Sequence, residues 1–321
     1  MKTSATALTR HTATGPLVPS LIADAGGHAP RRFIEFFTAQ IPNDNTRAAY
    51  IQAVTRFLTW CDGYGLTLRK IEPVHVAAYI KQHPGSVPTV KQHLAAIRTL
   101  FDYLVTCQVM PFNPATSVRA PRYSIETGKT PVLSAKDART LLDSIPTDNL
   151  TGLRDRALIG LMVYSFARVS AAVHMQVKDY YPNGKRYWIR LHEKGGKFHE
   201  VPAHHNAEAY LDAYIEATGI ASAKASPLFR SIPRRTGRIT ENGLDRRDVY
   251  AMIRRRAAAA GINGAVCCHT FRATGITAYL QNGGSLEHAQ AIAAHASART
   301  TKLYDRRNDA LSLDEIERIV I

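Results

Sequence analysis

The stretch HTFRATGITAYLQNGGSLEHAQAIAAHASARTTKLY, residues 269–304, is the most informative part of this chain. It predicts a helix over residues 273–281, a break at Asn282-Gly283-Gly284, and a second helix over residues 286–294. Glycine pairs end helices because glycine adopts backbone conformations that other residues avoid. The stretch therefore predicts two consecutive helices joined by a tight turn.

Polar side chains stand at fixed places around these two helices. His269 and Arg272 form a His-x-x-Arg pair, His295 comes 23 residues after Arg272, and Tyr304 comes 9 residues after His295. The pair alone is a weak signal, since the chain has 13 histidines and a second match begins at His28. The order of the four residues and their helical context carry the information.

Two further residues extend the series towards the N-terminus: Arg168, in Ala167-Arg168-Val169-Ser170, and Lys194, in the string HEKGGK at residues 192–197. With them, the order and local contexts resemble the tyrosine recombinases, also called the phage integrase family, over residues 133–321. The resemblance implies a DNA strand transferase whose tyrosine displaces a 5′-hydroxyl and holds the DNA as a 3′-phosphotyrosine ester. The residues that it assigns to catalysis are Arg168, Lys194, His269, Arg272, His295 and Tyr304.

The residue types suit this chemistry. Arg168 and Arg272 each present a planar fork of N–H groups that matches the non-bridging oxygens of a phosphate, where negative charge accumulates. Tyr304 is a weak nucleophile at neutral pH because a free phenol has a pKa of about 10. Two flanking guanidinium groups, with His269 as the proton acceptor, are expected to favour its ionisation.

The resemblance also gives roles to Lys194 and His295. Lys194, on the turn of a β-hairpin, suits a general acid that protonates the departing 5′-oxygen, and Lys197 is the alternative for this role. His295 suits a hydrogen bond to the phosphate, and a share in the proton transfer is the alternative role. Because one phosphate ester is exchanged for another, the reaction needs neither ATP nor a divalent metal, so no cofactor is expected.

Structural explanations compete with these assignments. The nucleophile is one of 14 tyrosines, and a tyrosine near a helix usually serves packing. Arg168 could stabilise the C-terminus of a helix, and the lysines could be solvated turn residues. The two histidines could form a metal site with Cys267 and Cys268, but adjacent cysteines rarely bind one metal ion together. No metal site is therefore predicted.

Three positions depart from the usual pattern of the family. An acidic residue commonly stands shortly after the first arginine, where this chain has Ala171. A second histidine often follows the arginine of the His-x-x-Arg pair, where Ala273 stands, and glycine often precedes the second catalytic histidine, where Ala294 stands. None of the three is a reacting group, so they bear on the support of Arg168 and on the subfamily rather than on the reaction.

The composition indicates a polyanionic partner. The chain has 321 residues, with 41 Lys+Arg against 26 Asp+Glu, a net charge of +15 and a pI near 9.8. Such an excess favours nucleic acid, which binds basic proteins through phosphate neutralisation and counterion release. No run approaches the roughly 18 apolar residues that a membrane helix needs. We therefore expect a nucleic-acid partner, which the resemblance identifies as double-stranded DNA, and no membrane segment.

The cysteines argue against a disulfide-rich or zinc-binding protein. Cys61, Cys107, Cys267 and Cys268 form no CxxC pair, and the N-terminal sequence MKTSATALTRHTATG lacks the apolar core of a signal peptide. A reduced, cytoplasmic setting is therefore expected.

Length and patterning divide the chain into four regions, since 321 residues are enough for two domains. Residues 1–29 are predicted as a flexible arm, residues 30–111 as a four-helix domain, residues 112–132 as a basic linker interrupted by prolines, and residues 133–321 as a second domain. The resemblance implies that the four-helix domain is a core-type DNA-binding domain and that the second domain is the catalytic domain with a C-terminal docking segment. The predicted fold class is mainly α with a small β-sheet in an α+β catalytic domain.

Apolar periodicity supports this division. Apolar residues from Tyr50 to Cys61 fall on one face of a helix that follows the turn Pro42-Asn43-Asp44, and a second long helix starts near Pro88. Alternating polar and apolar residues over 187–202, with a turn at Gly195-Gly196, predict a β-hairpin.

Basic residues outside the catalytic series are candidates for DNA contacts, although a solvated charged face would explain them equally well. The resemblance implies that the two domains form a C-shaped clamp around the duplex. The residues assigned to DNA contacts are Arg47, Lys91, Arg98, Lys197, Arg234, Arg235, Arg238, Arg246 and Arg247.

The chain continues beyond Tyr304 through an apolar segment that includes Leu311, Leu313 and Ile316. In the family such a segment commonly docks on a neighbouring protomer, so the resemblance implies a tetramer on paired inverted-repeat core sites. Accessory DNA-bending proteins are a further partner class that the sequence leaves open.

The expected function is site-specific DNA recombination through a Holliday junction, in integration, excision or resolution. Two alternatives stay open at this point. One is a relaxing topoisomerase of related chemistry, and the other is a non-catalytic, sequence-specific DNA-binding or architectural protein with a vestigial site. Retention of all six catalytic residue types argues against the second alternative.

Overall fold

A computed structural model describes residues 18–124, 128–193 and 198–306 of the chain. They form two compact units, and the division falls after Ser124. Each unit has a hydrophobic core of its own. The fold is mainly helical with one small antiparallel sheet, so the predicted fold class is confirmed. No helix within the described residues is both long enough and apolar enough to cross a membrane.

The first unit is built around two long helices, α3 and α5, which pack against each other. Asn43 begins α3 by accepting the backbone N–H of Thr46 on its side chain, which satisfies one of the free donors of the first turn. Phe57 and Phe101 meet in the core at 6.3 Å between ring centroids. The helices are α1 (Ser20–Ala23), α2 (Ala29–Glu35, continued by a π turn over Phe36–Gln40), α3 (Asp44–Gly63), α4 (Pro73–Gln82) and α5 (Val87–Thr106).

Residues 18–29, which the sequence assigns to a flexible arm, belong to this unit. Val18, Leu21 and Ile22 are buried in its core, where they shield apolar surface from water. A helix of only four residues has no periodic signal, so patterning could not separate this short apolar run from the Ser/Thr-rich sequence before it. Residues 1–17 lie outside the described residues.

The first residues of the predicted linker also pack on the first unit. Ala115 and Val118 are buried in its core, and the Arg98 guanidinium donates hydrogen bonds to both of their backbone carbonyls. The extended part of the segment therefore starts no earlier than residue 119.

The second unit contains a three-stranded antiparallel sheet in the order β1–β2–β3. Strands β2 (Arg186–His192) and β3 (Phe198–Pro202) form the predicted hairpin, in which Ile189 lies opposite Val201. Strand β1 (Tyr180–Asn183) was not predicted, because four residues that include a proline carry little alternation. The hairpin turn over 194–197 is outside the described residues.

Helices surround this sheet and form most of the second core. Helix α11 is buried on nearly all sides, and Gly275 allows its close approach to α7, since a Cβ there would stand 2.0 Å from the carbonyl oxygen of Val163. The helices are α6 (Ala135–Asp143), α7 (Leu150–Tyr164), α8 (Val169–Val173), α9 (His205–Thr218), α10 (Arg246–Ala259), α11 (Cys268–Gln281), α12 (Leu286–Ile292) and α13 (Ala298–Lys302).

Helix α11 begins five residues before the predicted start at residue 273. Cys267 and Thr270 cap it reciprocally: the backbone N–H of Cys267 donates to the Thr270 hydroxyl at 3.1 Å. Cysteine is not among the residues that usually cap a helix, so the sequence did not reveal this start. As a result, Arg272 lies inside the helix rather than at its beginning.

Candidate active site

Five of the six predicted catalytic residues lie together in the second unit. Arg168 directly precedes α8, His269 and Arg272 lie on the first turns of α11, and His295 and Tyr304 follow α12 and α13. Residues that are 136 positions apart in the chain, from 168 to 304, therefore share one site. The sixth residue, Lys194, and its alternative, Lys197, lie outside the described residues.

Arg272 is the most deeply buried of the five, with 1% of its surface exposed. Its two terminal nitrogens donate hydrogen bonds to the backbone carbonyls of Phe166 and Ala293, which fix the plane of the guanidinium. Its Nε is buried and has no acceptor among the described residues. Burial, and then the nearby charge of Arg168, lower the pKa of Arg272 to about 10, so it remains charged at neutral pH. A buried cation with a free donor is suited to bind an anion.

The two carbonyls that hold Arg272 belong to segments with unusual backbone conformations. Phe166 has a φ of 54°, and Ala294, directly after Ala293, has a φ of 47°. The left-handed conformation costs an ordinary residue roughly 1–2 kcal/mol, and glycine avoids this cost. This explains why glycine suits the position before the second histidine, and it marks Ala294 as a strained site in this chain.

Tyr304 is held in the site from several directions. Its hydroxyl lies 2.6 Å from Nε2 of His269, and its backbone carbonyl accepts a hydrogen bond from the Thr277 hydroxyl at 2.9 Å. The backbone N–H of Gly128 donates to the carbonyl of the preceding Leu303 at 2.8 Å. Only 6% of the tyrosine surface is exposed. The phenol is therefore positioned by its own chain, in contact with a base.

The electrostatics of Tyr304 differ from the sequence-based expectation. Burial raises the pKa of the phenol above its ordinary value, and the charges of Arg272 and Arg168 oppose this rise only in part. In the protein without DNA the phenol is therefore protonated at neutral pH. Loss of the phenol proton therefore has to accompany the attack on phosphorus and cannot precede it.

Both histidines of the site are neutral at neutral pH. Burial, followed by the charges of Arg272 and Arg168, lowers the pKa of His269, and the same causes lower the pKa of His295 to about 3. A neutral imidazole can accept a proton, which is what a general base next to Tyr304 requires. His295 is fixed by the Thr301 hydroxyl, 2.8 Å from its Nδ1, and its ring stacks on the Tyr304 ring with centroids 5.8 Å apart.

Arg168 forms an ion pair that the sequence did not indicate. Its Nη1 donates to Oε2 of Glu193 at 2.5 Å, and 37% of the Arg168 side chain is exposed against 9% of the Glu193 side chain. Glu193 directly precedes Lys194 in the predicted hairpin turn. The residue type alone could not distinguish it from the other acidic residues, because the pair joins positions 25 residues apart.

The DNA-contact candidates of the first unit differ in their availability. The Arg47 side chain pairs with Asp44 at 2.8 Å and donates to two backbone carbonyls, and Arg98 holds the segment at residues 115–118. Lys91 is exposed on α5. Of the three, only Lys91 has a side chain that is exposed and has no hydrogen bond to another described residue.

The candidates of the second unit are all exposed except Lys197, which is outside the described residues. Arg234, Arg235 and Arg238 lie on the loop before α10, while Arg246 and Arg247 begin that helix. The N-terminus of a helix repels cations, so arginines there gain nothing from the helix dipole. Asp245 partly compensates, since its carboxylate accepts from Arg247 at 3.1 Å.

Within the part of the chain that the structure describes, no group of three or more His, Cys, Asp or Glu side chains is arranged to hold a metal ion. The polar groups of the candidate site are two arginines, two neutral histidines and a phenol, a set that is suited to bind an anion.

Comparison with known proteins decides the family. The sequence pattern of the phage integrase family matches residues 131–310, which is more than half of the chain and includes all six predicted catalytic residues. This chain belongs to the phage integrase family. The sequence-based prediction of the family is thereby confirmed.

Curated relatives of this integrase-family chain are named as recombinases. It is 28% identical over 269 residues to tyrosine recombinase XerD of Listeria monocytogenes, which covers 81% of this chain and 87% of that protein. It is 28% identical over 225 residues to tyrosine recombinase XerC of Chlamydia muridarum, covering 70% and 68% respectively. The chain is accordingly an enzyme of site-specific DNA strand exchange, as predicted from the sequence, and a vestigial, non-catalytic protein is not favoured.

Solved structures of the family share its fold. XerH recombinase bound to a palindromic difH substrate aligns with a TM-score of 0.67 at 20% identity, over 85% of this chain and 78% of that one. A lambda integrase dimer bound to a COC′ core site aligns with a TM-score of 0.65 at 17% identity, over 88% and 96%.

Proposed function

We propose that this recombinase cuts one DNA strand by attack of the Tyr304 hydroxyl oxygen on a backbone phosphorus. Arg168 and Arg272 bind the non-bridging oxygens of that phosphate. The observation that carries the proposal is the buried Arg272, whose free Nε–H lies in the same site as the hydrogen-bonded pair of Tyr304 and His269. Loss of one such charge-stabilising donor typically costs about 10²–10³ in rate.

The proton of the phenol moves to Nε2 of His269, which is 2.6 Å away and neutral. As the bond from Tyr304 oxygen to phosphorus forms, the bond from phosphorus to the 5′-oxygen breaks. Lys194, with Lys197 as the alternative, donates the proton that the 5′-oxygen needs to leave as a hydroxyl. The product is a 3′-phosphotyrosine ester, and attack by another 5′-hydroxyl reverses the steps and joins a new strand.

The site favours attack only when a phosphate is bound. Burial keeps the pKa of Tyr304 high, so its proton has to leave as the bond to phosphorus forms. A bound phosphodiester places negative charge against Arg272, and the additional charge of the transition state strengthens that interaction further. The arrangement therefore stabilises the transition state more strongly than it stabilises the bound, uncut DNA.

The DNA partner is held through exposed cations on both units. The set that supports this is Lys91, Arg234, Arg235, Arg238, Arg246 and Arg247, while Arg47 and Arg98 already bind carbonyls of their own unit. Each neutralised phosphate releases counterions, so binding should weaken steeply with salt. Four free cysteines among the described residues suit a reducing compartment, and we place the reaction in the cytoplasm.

The enzyme acts as a tetramer on two core sites with inverted repeats, with the segment after residue 310 docked on a neighbouring protomer. A lambda integrase tetramer bound to a Holliday junction is among the structural neighbours, at a TM-score of 0.65 and 16% identity. An open groove lies between residues 128–135 and the C-terminal half of α11, close to Tyr304. It offers a docking place for such a segment. Accessory DNA-bending proteins would act on the DNA outside the core sites.

A covalent-trapping experiment tests the reaction. Bound sites are first selected from a random duplex pool, and a nicked version of the selected duplex is then incubated with the protein. The wild-type protein should become covalently linked to the DNA, and Tyr304→Phe should bind the duplex without linking.

Tyr279→Phe is the matched control, because Tyr279 is a partly buried tyrosine on the same helix as Arg272 and has no proposed chemistry. This variant should link like the wild type. Linkage by Tyr304→Phe, or a wild-type protein that binds the duplex and never links, would refute the proposed reaction.

A further inference from the structure

We propose that Glu193 is a positioning residue for strand cleavage: its carboxylate fixes the Arg168 guanidinium so that the remaining N–H groups face the phosphate. The inference rests on the proposed function, since it presupposes that Arg168 binds the reacting phosphate. Glu193 itself does not touch the DNA and acts only through Arg168.

The geometry makes Glu193 the inner member of the pair. Its Oε2 accepts from Arg168 Nη1 at 2.5 Å, and its side chain is 9% exposed whereas that of Arg168 is 37% exposed. A surface pair of two long, exposed side chains would contribute little order. Here the carboxylate is fixed by burial and the guanidinium projects from it towards solvent.

Arg168 has no other means of orientation within the described residues. The second arginine of the site, Arg272, is held by two backbone carbonyls and needs no carboxylate. Arg168 donates to no backbone carbonyl there, and the nearby Ala171 is buried and has no polar atom in its side chain. The two arginines of the site are therefore held by different acceptors: backbone carbonyls hold Arg272, and the Glu193 carboxylate of the hairpin holds Arg168.

The pair is compatible with a bound phosphate. A guanidinium has five N–H groups in one plane, so a bond to Glu193 leaves the other groups free for a second anion. A buried carboxylate that loses its partner is strongly destabilised, which keeps Glu193 in place when the DNA arrives. The charge of Glu193 also reaches Arg272, where it opposes the lowering of the pKa by burial. Glu193 thus moderates the repulsion between the two arginines before the phosphate binds.

The test is the variant Glu193→Gln, which keeps the shape and removes the charge. At saturating nicked duplex, its rate of covalent linkage should fall about 10-fold, because a hydrogen bond to a charged group is replaced by a neutral one. Its dissociation constant for the duplex should change less than about 3-fold, since most of the binding comes from other phosphate contacts. The variant Glu193→Asp keeps the charge on a shorter side chain and should link at a rate between those of the wild type and Glu193→Gln.

Glu200→Gln is the matched control, because Glu200 lies on the same hairpin and pairs at 2.7 Å with Arg190, which has no proposed catalytic role. It should link at the wild-type rate. A double-mutant cycle adds a readout that a merely structural role would not give: in an Arg168→Lys background, Glu193→Gln should cause little further loss.

The outcomes separate the two proposals. If the wild type links and Glu193→Gln links equally fast or faster, Glu193 does not position Arg168, and a faster rate would mean that its carboxylate competes with the phosphate. The inference would also be overturned if the double variant lost linkage rate by the product of the two single-variant losses. If the wild type does not link at all, the proposed function fails and there is no step for Glu193 to support.

Discussion

Two regions of the second unit contain buried arginine side chains, and the two regions compensate the positive charge in different ways. In the Asp155 cluster (Arg154, Asp155 and Arg256), one fully buried carboxylate accepts from Arg154 at 2.7 Å and from Arg256 at 2.8 Å. In the active site, Arg272 is also buried, but its terminal nitrogens donate to backbone carbonyls and not to a carboxylate. The Asp155 cluster contains its own anion, whereas the active site does not hold one against Arg272.

This difference separates a structural use of buried charge from a functional one. An ion pair such as the Asp155 cluster joins α7 to α10 and is complete in the folded protein. Burial of a cation without a carboxylate partner costs free energy. This free energy is recovered only when an anion binds to the cation. Function therefore lies where the polar groups of the fold are incompletely satisfied.

The largest expected effect concerns the Asp155 cluster. Asp155→Asn removes the carboxylate and leaves two arginines without their partner, so the free energy of unfolding should fall by about 3–5 kcal/mol. Urea unfolding followed by circular dichroism measures it, and the exposed Asp143→Asn on α6 serves as the control with little change. Equal stability of both variants would mean that Asp155 does not compensate the buried charge.

The second prediction makes the same substitution, arginine to lysine, in each of the two regions and compares the rates of covalent linkage. Arg272→Lys keeps the charge but loses the planar fork, so the single-turnover rate of covalent linkage should fall about 10²-fold or more. Arg256→Lys makes the same change in the Asp155 cluster and should leave the linkage rate within about 3-fold of the wild type, since Arg256 only packs and pairs. Similar losses in both variants would remove the distinction between the regions.

Acidification should destabilise the folded protein through the buried, neutral histidines of the active site. The pKa of His295 is about 3 in the folded protein against an ordinary 6.5, so the unfolded chain binds the proton more readily. Stability is therefore lost as the pH falls below about 6.5, and at pH 5 the contribution of His295 to this loss is about 2 kcal/mol. Unfolding measured at pH 7.5 and pH 5 should show a smaller loss for His295→Gln than for the wild type.

His269 and His93 also have lowered pKa values, and they change stability with pH in the same direction. The dependence of the free energy of unfolding on pH should therefore be weaker in His295→Gln than in the wild type, but it should not vanish. A His295→Gln protein with the full wild-type slope would contradict the assignment of a buried neutral imidazole at this position.

The smallest expected effect concerns the backbone around Arg272. Ala294→Gly relieves a φ of 47° and should stabilise the protein by about 1 kcal/mol. Ala291→Gly, three residues earlier and inside α12, should destabilise it by a similar amount, because glycine is unfavourable in a helix. Thermal unfolding of both variants checks the opposite signs, and the same sign in both would exclude strain at residue 294.

The sequence was sufficient to predict the family and to bring Arg168, His269, Arg272, His295 and Tyr304 into one site. Their order along the chain was informative because each follows or begins a helix, and helices can be read from periodicity and breaks. The same reasoning predicted the hairpin that carries Lys194.

The supports of the site could not be predicted in this way. The carbonyls of Phe166 and Ala293 belong to the backbone, which is the same for every residue type, so no sequence pattern marks them as acceptors. Thr277 and Thr301 act on Tyr304 and His295 through contacts that exist only after the helices pack. Glu193 looked like an ordinary turn residue until the sheet placed it beside Arg168.

The way in which Tyr304 is fastened has a consequence for the assembled enzyme. Thr277, Gly128 and His269 all hold the tyrosine loop from within one polypeptide. In the proposed assembly, each subunit would therefore bring its own Tyr304, already paired with His269, to its own strand. An assembly in which one subunit has lost its phenol would leave a single strand uncut and halt partway through the exchange, and no neighbouring subunit could substitute for the missing group.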